Sequence, residues 1–334
     1  MKYFLKSRFF IFSFFFTSAI ILLTLIIAYF YISDAFEDNG PLKAPINIII
    51  KSGSSASAIA QKLSRAGVIS DSTIFSIGVW LHGSGSSLKA GEYRFGEGIS
   101  SINVMKKLVT GDVIERKVTF SEGMTVYSII HKLMGNDSLS GSIMEIPIEG
   151  SLLPETYSYR YGDKRSDLVK RMQQAMISTA QELWSRRPEG LPYNSISEAK
   201  ILASIIEMEA GSDAERELIS GVFVNRLRLG MRLQADPTVL YAITQGKQKL
   251  ERKLTSNDLK IVSPFNTYLF KGLPPHPITN PGRASLKAAI NPAKTEAIYF
   301  VSDGKGGHRF ARTLSEHNKN ISIWRNIQKK GNSY

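Results

Sequence analysis

Residues 195–210 read Ser-Ile-Ser-Glu-Ala-Lys-Ile-Leu-Ala-Ser-Ile-Ile-Glu-Met-Glu-Ala, and they set the organisation of the second half of the chain. Ser195 followed three residues later by Glu198 has the form of a capping box, so a helix is expected to begin there and to end near Ala210. At about 100° per residue, one apolar stripe runs along this helix. The stripe consists of Ile201, Leu202, Ile205 and Ile206.

Two carboxylates lie near the end of this helix, on different faces. Glu209 projects into the apolar stripe, one turn beyond Ile205, whereas Glu207 points nearly the opposite way. An unpaired carboxylate on an apolar face has a raised pKa, which suits a general acid near neutral pH. The pattern therefore predicts Glu209 as the acid and Glu207 as a solvated or substrate-facing partner. A structural ion pair of Glu209 with Arg216 or Arg226 is the alternative.

The other elements of residues 151–334 predict a catalytic domain of mixed α+β class, with helices around a small sheet. Helices are expected at 167–184, 215–229 and 285–290, with breaks at the proline and glycine residues between them. A strand is expected at 297–301, and a tight turn follows it at Asp303-Gly-Lys-Gly-Gly307.

Residues 45–150 contain two similar units, each with a strand, a glycine turn and a short amphipathic helix. The first covers 46–63 and the second covers 118–133. Between them, 89–95 predicts a strand and 101–108 a short helix. The two units resemble LysM-like modules, which bind N-acetylglucosamine polymers. A packing scaffold that binds no glycan is the alternative.

The N-terminus contains an uncharged apolar run of 24 residues, from 9 to 32. This exceeds the ~20 residues that a helix needs to cross a bilayer. Lysine and arginine precede the run and acidic residues follow it, so the positive-inside rule predicts a cytoplasmic tail at 1–8 and an extracytoplasmic location for the remainder. Residues 33–44 predict a linker that leaves the membrane. A cleaved signal peptide is the alternative, although the run is long and ends in aromatic residues.

The composition excludes several classes of site. The chain of 334 residues has no cysteine, which excludes disulfides, a thiol nucleophile and cysteine-ligated metals. Its formal net charge of +13 at pH 7 is typical of nucleic-acid-binding proteins, but the expected topology removes nucleic acid from reach. An anionic cell-wall polymer remains compatible. The five histidines show no His-x-x-x-His pairing and the turn at 304–307 is not a P-loop, so no metal or cofactor is expected.

Short motifs follow one another in a specific order across the second half of the chain. They are Ala-Ser-Ile-Ile-Glu-x-Glu at 203–209, Glu215-Arg216, Asn225-Arg-Leu, Leu233-Gln-x-Asp-Pro-Thr238, Asn266-Thr-Tyr268, Gly272-Leu-Pro-Pro275, Asn291-Pro-Ala-Lys294 and Tyr299-Phe-Val-x-Asp-Gly-x-Gly-Gly-His308. Together they resemble the YceG-like family, the endolytic murein transglycosylases. The resemblance runs from about residue 46 to 320. It departs from the family pattern at Met208, where lysine is common, and at His276, where glycine is common.

The resemblance implies a lyase that cuts nascent peptidoglycan strands between N-acetylmuramic acid and N-acetylglucosamine. The product would end in 1,6-anhydro-muramic acid, with Glu209 as the catalytic acid and base. It also implies a single-pass protein of the inner membrane that ends strand growth beside peptidoglycan synthases. The residues expected to support catalysis or bind substrate are Glu207, Gln234, Asp236, Asn266 and Tyr268.

Two other functions stay open at this point. A hydrolase with two carboxylates would act on the same polymer and leave a reducing muramic acid. A non-catalytic protein would use its LysM-like units to bind the wall and tether the synthesis machinery.

Overall fold

The computed structural model describes residues 2–331, and the chain divides into two compact units. The first unit comprises residues up to 116 together with 160–162, and the second comprises 117–159 and 163 onward. This division differs from the boundary expected at 150/151. The reason is that the second strand–turn–helix segment shares its core with the second unit. The mixed α+β class expected from the sequence is confirmed.

Helix α1 (Lys2–Glu37) contains the expected apolar run and continues beyond it. Its part from Phe12 to Glu37 is long and apolar enough to cross a membrane. The side chain of Phe36 is 1% exposed, and its ring packs 6.0 Å from that of Phe75 in the first unit. Residues 33–37 are therefore helical, whereas the sequence predicts a linker over 33–44. Residues 2–8 of the expected tail are also helical, and Met1 lies outside the described residues.

The first unit is built on a two-stranded antiparallel sheet. Its elements after α1 are β1 (Ile46–Ile50), α2 (Ala56–Arg65), α3 (Ser72–Leu81), β2 (Gly91–Phe95) and α4 (Ser101–Thr110). Strands β1 and β2 pair in a register that joins Ile46 to Phe95 and Ile50 to Gly91. Ser55 caps α2 by accepting a hydrogen bond from the Ala58 N–H at 3.2 Å. Elements β1, α2, β2 and α4 lie where the sequence predicts them, whereas helix α3 was not predicted.

The second unit begins with another sheet of two strands. Its first elements are β3 (Glu115–Thr119), α5 (Val126–Met134), β4 (Thr156–Arg160) and α6 (Arg165–Ser185). Buried side chains of all four form one cluster, which includes Val118, Ile129, Tyr157 and Met172. Because α5 and α6 share this cluster, residues on both sides of position 150 fold together.

The remaining elements surround one long buried helix. They are α7 (Ile196–Glu209), α8 (Arg216–Arg228), α9 (Asp236–Thr244), α10 (Arg283–Ile290), β5 (Tyr299–Ser302), β6 (His308–Ala311) and α11 (Leu314–Gly331). Helix α7 is buried on nearly all sides, since Leu202, Ala203 and Ile206 are each fully inaccessible. Strands β5 and β6 form an antiparallel hairpin that joins Tyr299 to Ala311. Helices α9 and α11 were not predicted.

Candidate active site

The start of α7 is fixed by the expected capping box, and its end carries Glu209. The Ser195 N–H donates to the Glu198 carboxylate at 3.1 Å, and the Glu198 N–H donates to the Ser195 hydroxyl at 3.2 Å. Glu209 is the last helical residue, and the backbone turns extended at Ala210. The carboxyl end of a helix carries partial negative charge, which favours the protonated form of an acid placed there.

The electrostatic environment of Glu209 keeps its carboxyl group protonated near neutral pH. Burial raises the pKa of Glu209 to about 8, and the negative charge of Asp236 adds to the increase. The positive charge of Arg226 and a hydrogen bond from the Asp236 backbone act in the opposite direction. This environment favours the protonated form of Glu209, which is the form that a general acid needs.

Glu209 opens into a pocket of about 350 Å³ in the second unit. We refer to it as the Glu209 pocket. Its lining residues are Glu209, Arg226, Leu233, Gln234, Asp236, Tyr268, Phe300, Val301, Ser302, His308, His317 and Trp324. Of the residues expected from the sequence, the structure thus brings together Glu209, Gln234, Asp236 and Tyr268.

Asp236 and Tyr268 form a hydrogen-bonded pair in the Glu209 pocket. The Tyr268 hydroxyl donates to Asp236 Oδ1 at 2.6 Å, and burial raises the pKa of Tyr268 above its usual range. Asp236 begins α9, where the following Pro237 suits the first turn of a helix. Gln234 has a positive φ of 51°, a left-handed conformation that costs a non-glycine residue of the order of 1 kcal/mol.

Arg226 places a positive charge at the pocket without forming an ion pair with Glu209. It is 6% exposed and its Nε donates to the Ile298 carbonyl at 2.7 Å, while Nη1 donates to the Leu233 carbonyl at 2.6 Å. Within residues 2–331, no salt bridge joins Glu209 to an arginine, so the ion-pair alternative is not supported. Because the guanidinium is held by backbone carbonyls, it faces the pocket in a fixed position.

Glu207 lies on the opposite face of α7, and its expected exposure to solvent is wrong. Its side chain is 4% exposed, and Arg216 Nη2 lies 3.0 Å from Glu207 Oε1. The Gly282 N–H donates to Glu207 Oε2 at 2.8 Å, and Glu122 approaches the same Arg216 at 3.5 Å. Helices α8 and α10 cover this face of α7, and therefore Glu207 lies outside the Glu209 pocket.

Asn266 lies behind the pocket and holds the loop that carries Tyr268. Its side chain is fully inaccessible, and its Nδ2 donates to the carbonyls of Leu259 at 3.0 Å and Ile261 at 2.8 Å. Its Oδ1 accepts a hydrogen bond from the Tyr268 N–H at 2.9 Å. All its polar atoms are committed to the loop, so Asn266 supports the position of Tyr268 and does not line the pocket.

A second pocket, of about 850 Å³, is lined in part by two residues that adjoin residues of the Glu209 pocket in the chain. Met208 and Pro237 line the larger pocket, next in sequence to Glu209 and Asp236. Met208 is 41% exposed there. His276, the other departure from the family pattern, packs its ring 4.6 Å from that of Phe265.

Sequence reasoning assigned no site role to several residues that line the Glu209 pocket. His308 follows the predicted glycine turn, which the sequence interpreted as a tight hairpin only. His317 and Trp324 lie on α11, and their spacing of two helical turns on an amphipathic segment was the available signal. In residues 2–331, no group of three or more His, Asp or Glu side chains is arranged to hold a metal ion.

Comparisons with known proteins match the chain over most of its length. A model of the YceG-like family matches residues 48–323. An endolytic murein transglycosylase of Bacillus subtilis is 36% identical over 312 residues, which cover 83% of this chain and 84% of that protein. One from Streptococcus pneumoniae is 27% identical over 327 residues, covering 84% of this chain and 58% of its own. A crystal structure of a yceG-like protein from Listeria monocytogenes is 32% identical, with a TM-score of 0.50, and covers 83% of this chain and 99% of that one.

Proposed function

Because this chain belongs to the YceG-like family, we propose that it is an endolytic murein transglycosylase with Glu209 as its catalytic acid and base. The observation that carries the proposal is the position of Glu209 at the end of α7, in a pocket where burial raises its pKa to about 8. A carboxyl group that is protonated at neutral pH can donate a proton to a glycosidic oxygen.

The proposed reaction uses the Glu209 carboxyl twice. Glu209 first donates its proton to the oxygen that links N-acetylmuramic acid to N-acetylglucosamine, and the bond from the muramoyl C1 to that oxygen breaks. The resulting carboxylate then accepts the proton of the muramoyl C6 hydroxyl while the oxygen of that hydroxyl bonds to C1. The product is a 1,6-anhydro ring, no water is consumed, and Glu209 regains the proton that it gave.

Asp236 and Tyr268 are the groups placed to stabilise the transition state. Positive charge develops at the muramoyl C1 and ring oxygen as the glycosidic bond breaks. The negative charge of Asp236, held by the Tyr268 hydroxyl at 2.6 Å, favours that charge electrostatically. Gln234, which lines the same pocket, offers an amide that can donate to and accept from the N-acetyl group of a sugar.

Glu207 and Asn266 support the site from outside the pocket. The buried pair of Glu207 with Arg216 fixes α7 against α8, and Asn266 fixes the Tyr268 loop. Both act on the positions of other groups, so their removal should affect stability together with activity.

A two-carboxylate hydrolase is the second candidate, because Asp236 lies in the pocket with Glu209. A hydrolase would need Asp236 to activate water or to attack C1. The Tyr268 hydroxyl already donates a hydrogen bond to Asp236 Oδ1 at 2.6 Å, so that oxygen is engaged and not free to activate water or attack C1. This contact favours the lyase, in which Glu209 alone moves the proton.

The proposed function also implies a membrane location for the chain, a glycan-binding role for two of its segments and a class of protein partner. Helix α1 would anchor the chain in the cytoplasmic membrane as a single span, with both units on the extracytoplasmic side. The strand–turn–helix segments β1–α2 and β3–α5 would act as LysM-like glycan-binding modules. Peptidoglycan synthases of the same membrane would be protein partners, since the substrate is their product.

The experiment that tests the function is mass spectrometry of the muropeptides released from purified peptidoglycan. The full chain is used in detergent because Phe36, at the end of α1, belongs to the core of the first unit. Wild type is expected to release anhydromuramyl products and Glu209→Gln to release none. Reducing-end products from wild type would support the hydrolase. The absence of any product from a folded, wall-binding protein would support the tether.

A further inference from the structure

The turn that precedes β6 is packed against the segment that leaves α7. Within the turn, Asp303 Oδ1 accepts hydrogen bonds from the Lys305 N–H at 2.7 Å and from the Gly307 N–H at 3.0 Å. A Cβ atom on Gly211 would lie 2.4 Å from the Gly306 carbonyl oxygen, so only glycine permits this close approach. The turn therefore packs against Gly211, which lies two residues after Glu209 in the chain.

Glu215 uses both oxygens of its carboxylate on one residue of this hairpin. Its Oε1 accepts the His308 N–H at 2.7 Å, and its Oε2 lies 2.9 Å from His308 Nδ1. The side chains are 14% exposed for His308 and 18% for Glu215. Because an ionised carboxylate can only accept, Nδ1 carries the proton, and the imidazole is held in one orientation.

This arrangement leaves Nε2 as the nitrogen of His308 that can interact with a ligand. No hydrogen bond joins His308 Nε2 to another residue in the described part of the chain, 2–331. His308 lines the Glu209 pocket, and the Phe300 ring meets its ring edge-on at 5.3 Å. A neutral imidazole with a proton on Nδ1 accepts a hydrogen bond at Nε2.

We propose that His308 is a substrate-binding residue of the Glu209 pocket, whose Nε2 accepts a hydrogen bond from a hydroxyl group of the sugar bound there. Glu215 is its positioning residue, in the way that a carboxylate orients a functional histidine in other sites. The inference rests on the proposed function, since it takes the pocket to hold an N-acetylated sugar. It also explains why the hairpin is built so closely against Glu215. A histidine that served only to pin the hairpin would need Nδ1 and not Nε2.

Two substitutions separate these roles, because each puts a side-chain amide near the position of only one of the two ring nitrogens. In His308→Asn the side-chain amide stands near the place of Nδ1 and can still donate to Glu215, but nothing replaces Nε2. In His308→Gln the amide reaches the place of Nε2 and loses the contact with Glu215. Binding is measured calorimetrically in the full chain carrying Glu209→Gln, which prevents turnover, with a tetrasaccharide of alternating N-acetylglucosamine and N-acetylmuramic acid as the probe.

Loss of one hydrogen bond to a sugar is expected to weaken binding about tenfold. We expect His308→Asn to raise Kd by about that factor with an unchanged melting temperature, and His308→Gln to bind more tightly than His308→Asn. The proposal would be overturned if His308→Asn bound the tetrasaccharide as tightly as its parent. It would also be overturned if the loss of affinity in each variant paralleled a decrease in its melting temperature. The products of the wild-type chain test the function separately, so a reducing-end product with the expected Kd pattern would refute the lyase and keep the role of His308.

Discussion

Replacing Glu209 by glutamine is expected to abolish product formation and to make the protein more stable near neutral pH. Burial raises the pKa of Glu209 to about 8, whereas its ordinary value is 4.5. At pH 7 the unfolded chain has therefore released a proton that the folded protein retains. Glutamine has nearly the same shape and no charge, so the substitution removes the energetic cost of burying an acid at this position.

The sign and size of the effect follow from proton linkage. Between pH 4.5 and about 8 the native state binds a proton that the unfolded state does not, so the free energy of unfolding falls as pH rises. At pH 7 the solution lies 7 − 4.5 = 2.5 pH units above the ordinary pKa, which sets an upper limit of about 3 kcal/mol. Water in the pocket screens part of this cost. We expect about 1–3 kcal/mol, or roughly 2–10 °C in the melting temperature of the second unit.

The assay is thermal unfolding of the full chain in detergent at several pH values from 5 to 8. The gain of Glu209→Gln over wild type should be small at pH 5 and should grow towards pH 8. Glu207→Gln, two residues away, is the matched control. It should be destabilising because it removes the charged partner of Arg216 at 3.0 Å. A gain for Glu209→Gln that is constant with pH, or largest at pH 5, would refute the reasoning.

The rate of anhydromuramyl product formation in wild type should fall above pH 8, about tenfold for each further pH unit, because Glu209 loses its proton there. A rate that does not change between pH 8 and pH 9.5 would contradict this. Asp236→Asn should move that decline to lower pH, since the charge of Asp236 raises the pKa of Glu209, and an unmoved decline in the same rate profile would exclude the effect. Gly78→Val should destabilise the first unit by about 1–3 kcal/mol in calorimetry, because a Cβ there would lie 2.5 Å from the Phe36 ring. Gly85→Val, with open space around it, is the control and should be close to neutral.

Several features that local sequence determines were predicted correctly. The capping box at Ser195 and the 3.6-residue period place the start of α7 and the face of Glu209, because both depend on residues within a few turns of one helix. The strand–turn–helix segments and the apolar helix at the N-terminus are local patterns of the same kind. In the site, Gln234, Asp236 and Tyr268, which the sequence analysis named as supporting residues, line the same pocket as Glu209.

The features that depend on distant contacts were not predictable in this way. Glu207 appeared solvated because the pattern of α7 alone cannot reveal that Arg216 and Gly282 cover it. Asn266 has the polar character of a substrate contact, but its amide is used by backbone groups of its own loop. The boundary between the two units follows from shared burial of α5 and α6, which is a property of packing and not of composition.

The two carboxylates near the end of α7 divide stability and function between them. Glu207 is compensated by Arg216 and the Gly282 N–H, and this pairing holds the helix against its neighbours. Glu209 lies on the other face, where Arg226 is tied to backbone carbonyls and no ion pair forms within the described residues. An acid left without a close counter-charge destabilises the fold, but this same lack keeps it protonated at pH 7. A salt bridge made by Glu209 would lower its pKa and remove the proton that the proposed reaction needs, and so its destabilising position is what the site requires.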